Sequence, residues 1–189
     1  MRQYNFLILV VCSSLIAACS SAPEPKKEIV DQFPGLLTKL VQNDEGIFHG
    51  IALGMTLDEV KKNVPATDSM SKLEENKYLF EGKLAPSKEY SYECTFDPKG
   101  LNDLTLDIYL KDQPNADSLY MDFSNYFSKR YGMPLVEEGV TIWTTSEGKR
   151  PARIILEKEE DYNYGKLTIT FFDKTFDSPS SAVADTLNL

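Results

Sequence analysis

The chain has 189 residues, 42% of them hydrophobic, and its 20 Lys and Arg against 29 Asp and Glu give a net charge of −9. That balance, with no basic cluster, argues against nucleic-acid binding by phosphate neutralisation and against direct adsorption to anionic headgroups. A single histidine excludes a His-based triad or a multi-His metal site within one chain.

The first element is a leader. Arg2 and the amino terminus are positive, and Phe6 to Ala18 is apolar except for Ser13 and Ser14. As a helix this run is roughly 20 Å long, short of the ~30 Å hydrocarbon core. It suits a signal-peptide h-region better than a permanent span. The run closes on Leu15-Ile16-Ala17-Ala18-Cys19, which resembles the lipobox of bacterial lipoproteins: an aliphatic residue, two small residues, then the acylated cysteine. Cys12 is a poorer candidate, because the branched Val10 and Val11 precede it where the peptidase needs small side chains. The competing reading is an ordinary secreted protein cleaved at an A-x-A-like site. The resemblance implies a signal peptide over 1–18 and a diacylglycerol thioether with an acylated amino group on Cys19. Several acyl chains together anchor stably where one does not. Ser20 in place of Asp implies, in enterobacteria-like sorting, an outer-membrane lipoprotein facing the periplasm or the cell surface. Loss of Arg2 takes the net charge to −10. With Cys12 removed and Cys19 acylated, Cys94 has no disulfide partner, so the fold rests on its core.

Residues 19–30 hold the acylated cysteine and a Pro-rich tether, Ser20 to Lys27, that spans about 25 Å as polyproline. A single domain is expected over 31–176, with a flexible tail at 177–189. Leu36, Leu37, Leu40 and Val41 have helical spacing, limited by Pro34-Gly35 and by Asn43 to Gly46. Thr56-Leu57-Asp58-Glu59 is a capping box that starts a helix with Val60 and Val64 on its apolar stripe, stopped by Pro65. Thr67 to Asn76 reads as a polar connection. Three strands follow: a short one at Lys77–Glu81, one alternating through Tyr90, Tyr92, Cys94 and Phe96, and one alternating through Leu104, Leu106, Ile108 and Leu110. Asp97 to Gly100 makes the turn between the last two. Asp117 to Tyr131 reads as a second helix, ended by Gly132 and Pro134. Strands at Val140–Thr145, Ala152–Lys158 and Lys166–Phe172 complete the chain, with Glu147-Gly148 turning the first pair.

Helix and three strands, repeated at a period of about sixty residues, suggests an internal duplication. The expected class is α+β: two layers, an antiparallel sheet with helices on one face, as a tandem α-β-β-β repeat. The order resembles the β-lactamase-inhibitor-protein type of fold and the small outer-membrane lipoproteins of the SmpA/OmlA kind. The residues that carry this are Gly54 to Val60 (G-M-T-L-D-E-V) and the helix end Tyr131-Gly132-Met133-Pro134. The match covers residues ~50–172, and the chain departs from the SmpA/OmlA pattern in length and strand count. The resemblance implies partner binding on the concave sheet face.

No residue is assigned a catalytic or metal-binding role, and no cofactor is expected. His49 reads as a loop residue and Cys94 as a core thiol. Asp103 and Asp107 share a strand face but stand about 13 Å apart, beyond the 5–9.5 Å of glycosidase carboxylate pairs. A carboxylate from another strand remains open as a partner for either. Glu157, Glu159, Glu160 and Asp161 lack calcium-loop spacing. Tyr109, Trp143 and Phe172 lie in the phase opposite the aliphatic residues of their strands, beside Thr105, Thr141, Thr145 and Thr170. They form a candidate interaction surface if that phase is open, and part of a covered face if loops or the amino-terminal segment lie over it. The reading is a non-enzymatic envelope module anchored by lipid, with an envelope protein as partner and no oligomeric state assigned. An inhibitor or immunity-like protein is a special case. The alternative is a hydrolase acting on envelope glycan or peptide through carboxylates.

Overall fold

The computed structural model describes residues 29–33, 35–86, 88–137, 140–146, 150–160 and 164–174. The leader, Cys19, the tether, Asp161, the Glu147-Gly148 turn and the tail from Asp177 lie outside the described residues. A 3₁₀ turn at Val30–Gln32 and helix α1 (Leu36–Val41) open the described chain. Helix α2 (Leu57–Asn63) then leads into strands β1 (Ser69–Glu74), β2 (Lys77–Ala85), β3 (Lys88–Asp97) and β4 (Gly100–Leu110). Helix α3 (Gln113–Tyr131) leads into β5 (Leu135–Glu137), β6 (Val140–Thr145), β7 (Ala152–Glu160) and β8 (Gly165–Asp173).

All eight strands form one antiparallel sheet in the order β1-β2-β3-β4-β8-β7-β6-β5. Two four-stranded meanders therefore meet at the β4–β8 pairing, where Leu104, Leu106 and Ile108 stand opposite Phe171, Ile169 and Leu167. The helices pack on one face, so the fold is the two-layer α+β arrangement expected. Each half has four strands rather than three. The extra β1 lies in the Thr67 to Asn76 stretch that reads as a polar connection. It is an edge strand with all six residues exposed, so it has no buried face for its side chains to alternate about. The three-residue β5 forms the other edge and is likewise exposed throughout.

Local chemistry sets the helix ends. Thr56 Oγ1 accepts from the Glu59 N–H, and the Glu59 carboxylate accepts from the Thr56 N–H at 2.7 Å, completing the capping box. In α3, Asp112 accepts from the Asn115 N–H, which starts the helix at Gln113 rather than at Asp117. Gly132, at φ +92°, ends it. The inner face of α3 buries Leu119, Phe123, Tyr126 and Phe127 against the second meander, with Phe127 centred 5.8 Å from Phe171. The inner face of the first meander is covered by the Phe48–Ile51 segment, whose Phe48 ring meets Tyr92 at 5.0 Å and Tyr90 at 5.4 Å. Each of these fully buried apolar side chains contributes roughly 1.5–3 kcal/mol relative to exposure.

Two arginine-centred clusters hold the elements together. Arg130 Nη1 donates to the Gly46 carbonyl at 2.7 Å and to the Tyr126 hydroxyl at 2.8 Å, and Tyr126 donates to Asp44 Oδ1 at 3.0 Å. Arg150, only 9% exposed, reaches Asp97 with both guanidinium nitrogens (2.8 and 3.1 Å) and Asp173 with one (3.1 Å). Asp97 ends β3 and Asp173 ends β8, so this clamp ties the first meander to the second.

Candidate functional site

The face of the sheet opposite the helices is covered by no described element. Every described side chain there is half-buried or exposed, whereas the helix-facing phase of β3, β4, β7 and β8 is mostly buried, with Phe96 and Lys158 half-buried. The strand registers place these outward positions in rows. One row runs Leu79, Glu93, Thr105, Thr170, Ile155, Ile142. The next runs Lys77, Thr95, Asp103, Phe172, Arg153, Thr144. Leu135 of β5 continues the first row beside Ile142.

The three candidate surface residues separate. Tyr109 is 37% exposed on this face, centred 6.5 Å from the exposed Tyr164, with Lys166 Nζ 5.9 Å from its ring centroid. Phe172 is half-buried on the same face, opposite Asp103 and Arg153. Trp143 does not belong there. It is 2% exposed, in the helix-facing row with Ile154 and Phe171, and its ring lies 5.3 Å from that of Phe127. Thr141 is buried with it, its hydroxyl 2.6 Å from that of Tyr120 on α3. The reason is that β6 carries large apolar side chains in both phases. Its aliphatic Val140 and Ile142 face outward, and the single large ring fills the core beneath α3. Ile142, Ile155 and Leu135 are the apolar surface residues that sequence reading missed, because an aliphatic phase is ordinarily the buried one.

Tyr109 also lines a cavity of about 800 Å³ at the β1–β4 end of the face, with Ser69, Glu81, Lys83, Glu89 and Ser91 around it. Gly82, paired with Tyr90, faces the helix side, where a Cβ would stand 2.5 Å from the Tyr90 ring, and the Tyr90 hydroxyl donates to Asp68 at 2.8 Å. Burial holds the Asp68 carboxyl above its ordinary range, against the lowering effect of that bond.

The remaining charges on the face are mostly paired. Lys77 meets Glu93 at 2.7 Å, and Lys166 meets Asp107 at 3.3 Å and Glu159 at 3.4 Å. Thr168 donates to Asp107 at 2.6 Å. Asp103 stands out: burial, reinforced by the nearby Glu93 carboxylate, raises its carboxyl to about 6, against the opposing pull of Lys77.

Cys94 is buried in the core row, where desolvation pushes its thiol far up and leaves it unreactive. His49 is a loop residue, but a buried one: it adopts φ +49°, stacks on Phe48 at 4.0 Å, and burial lowers its imidazole to about 4. Its Nδ1 has no partner among the described residues, and it is neutral at pH 7. Among the described residues no three His, Cys, Asp or Glu side chains group as a metal site, and no helix is long and apolar enough to cross a membrane. Comparison of the chain with models of protein families, with curated proteins and with solved structures finds no match.

Proposed function

We propose that this chain is a lipid-anchored envelope lipoprotein, held at the outer membrane through Cys19, that acts as a non-enzymatic binding or scaffolding module for an envelope protein. The observation that carries the reading is the run of half-exposed apolar side chains, Ile142, Ile155 and Phe172, on a sheet face that no described helix covers. A flat apolar strip edged by Arg153, Asp103 and Thr170 supplies what a protein interface needs: apolar contact at the centre and polar groups at the rim. The leader and lipobox supply the anchor, and the Pro-rich tether sets the reach.

The test is crosslinking of the acylated protein in its own envelope, followed by mass spectrometry of the captured proteins. One enriched envelope protein, lost with Phe172→Ser or Ile155→Ser, supports the reading; an unchanged background in all three samples overturns it. Cys19→Ala is expected to move the protein from the membrane to the soluble fraction, and unchanged fractionation would refute the anchor.

One observation favours the hydrolase alternative. Asp103, whose carboxyl is raised by burial and by the Glu93 carboxylate, and Glu93 itself put two carboxylates close together on adjacent strands, as a carboxylate mechanism requires. Incubation with purified envelope glycan and peptide substrates decides it. Hydrolysis abolished by Asp103→Asn would displace the binding reading.

A further inference from the structure

A second cavity, of about 670 Å³, lies at the other end of strands β2–β4 and on the helix side of the sheet, where the start of α2 leaves part of that face uncovered. It is distinct from the apolar strip on the opposite face. Its walls are the half-buried rings of Tyr78 and Phe96, centred 5.9 Å apart and set edge-to-face at 82°, together with Leu57. Asn76 fixes the Phe96 wall from both sides, accepting from its N–H at 2.8 Å and donating through Nδ2 to its carbonyl at 2.9 Å.

Asn102 also lines this cavity. In the β3–β4 register Thr95 stands opposite Asp103 and Phe96 opposite Leu101, so Asn102 is the extra residue of a β-bulge. Asn102 keeps the inward phase of Leu104, Leu106 and Ile108, and the bulge turns Leu101 inward beside it. Asn102 is 2% exposed, and its Oδ1 has no hydrogen-bond partner among the described residues. An unpaired buried amide oxygen is a standing cost to the fold. The outer torsion of an asparagine is soft, so either end of the carboxamide can turn toward the cavity.

We infer that this cavity binds a ring-bearing apolar residue of a peptide. The peptide's backbone N–H would donate to Asn102 Oδ1, and its neighbouring carbonyl would accept from Asn102 Nδ2. An extended peptide residue points its own N–H and C=O to the same side, a donor and an acceptor that the two ends of a carboxamide complement. The edge-to-face rings of Tyr78 and Phe96 suit a third aromatic ring better than an aliphatic chain. The volume falls within the ~300–1,000 Å³ range of small-ligand pockets.

The probe is N-acetyl-phenylalaninamide, titrated into the acylated full-length mature protein in detergent and followed by saturation-transfer NMR. Saturable transfer is expected, with N-acetylglucosamine, which has the same amide and no aromatic ring, binding at least ten-fold more weakly. Asn102→Leu is expected to weaken the phenylalanine probe at least ten-fold while leaving the melting temperature equal or higher, because it removes an unpaired polar atom. Pro98→Trp, on an exposed turn at the rim, blocks the cavity without touching the core and is expected to give the same loss. No saturable transfer, an equal response to N-acetylglucosamine, or binding unchanged in both variants would overturn the assignment. None of these results bears on partner capture by the opposite face, so failure here is separable from failure of the function proposed above.

Discussion

The two meanders have the same plan, a helix followed by four antiparallel strands, yet their outward faces differ. In the first, β2 and β3 present Lys77, Glu81, Lys83, Glu89, Glu93 and Thr95 with Leu79 as their one aliphatic member, and the surface is mostly polar and hollowed beside Tyr109. In the second, β6, β7 and β8 present Ile142, Ile155 and Phe172. The first half alternates as a strand with one solvated face should. The second carries apolar residues on both faces, which costs solubility unless something is bound there. The difference between the halves, more than the shared plan, locates the candidate interface.

Four experiments press on that contrast. The largest effect is expected from Trp143→Ala, which empties the core beneath α3: a loss of about 4 kcal/mol in chemical denaturation. A loss below about 1 kcal/mol would return Trp143 to the surface and erase the inward register of β6. Arg150→Ala removes the clamp between the meanders and leaves the Asp97 and Asp173 carboxylates without it. A loss of about 3 kcal/mol is expected, with the halves unfolding less cooperatively in calorimetry. A single unchanged transition would show that the β4–β8 pairing suffices.

Asp103→Asn sharpens the polar side of the comparison through pH. The folded-state pKa of Asp103, about 6, lies above its ordinary 3.8. Its contribution to stability is therefore full below about 3.8 and is lost as pH rises through 6. The amide variant should be more stable than wild type by about 1–2 kcal/mol at pH 7, a figure reduced for partial solvent screening, and no different at pH 3. Equal stabilities at both pH values would remove the desolvated carboxyl from the account. The smallest effect on the fold is expected from Phe172→Ser, about 1 kcal/mol in the same denaturation assay. Its effect on partner capture in the crosslinking assay should be at least ten-fold, and this mismatch between stability and binding is the mark of an interface residue.

Where alternation was clean, sequence and structure agree. Tyr90, Tyr92 and Cys94 face inward with Leu104, Leu106 and Ile108, and the Thr56–Glu59 capping box forms as its spacing requires. β1 escaped because a strand exposed on both faces has no hydrophobic period. The register of β6 was misread because Val140-Thr141-Ile142-Trp143 has an apolar member in each phase. The inward turn of Leu101 beside Asn102 was illegible because a bulge depends on how two strands pair, and no residue in Leu101-Asn102-Asp103 announces it.

The sequence by itself determined the capping box of α2, the end of α3 at Gly132, the two-layer class and the buried phase of β3 and β4. These follow from short-range chemistry: capping, chain stiffness at Pro and Gly, and a period of two against one core. Only the tertiary structure decided which face of β6 is inside, how the β4–β8 seam joins the meanders, and where Arg150, Asp103 and Asn102 come to rest. Each of these depends on pairing between strands far apart in the chain, and burial is a property of what packs above a residue as much as of the residue itself.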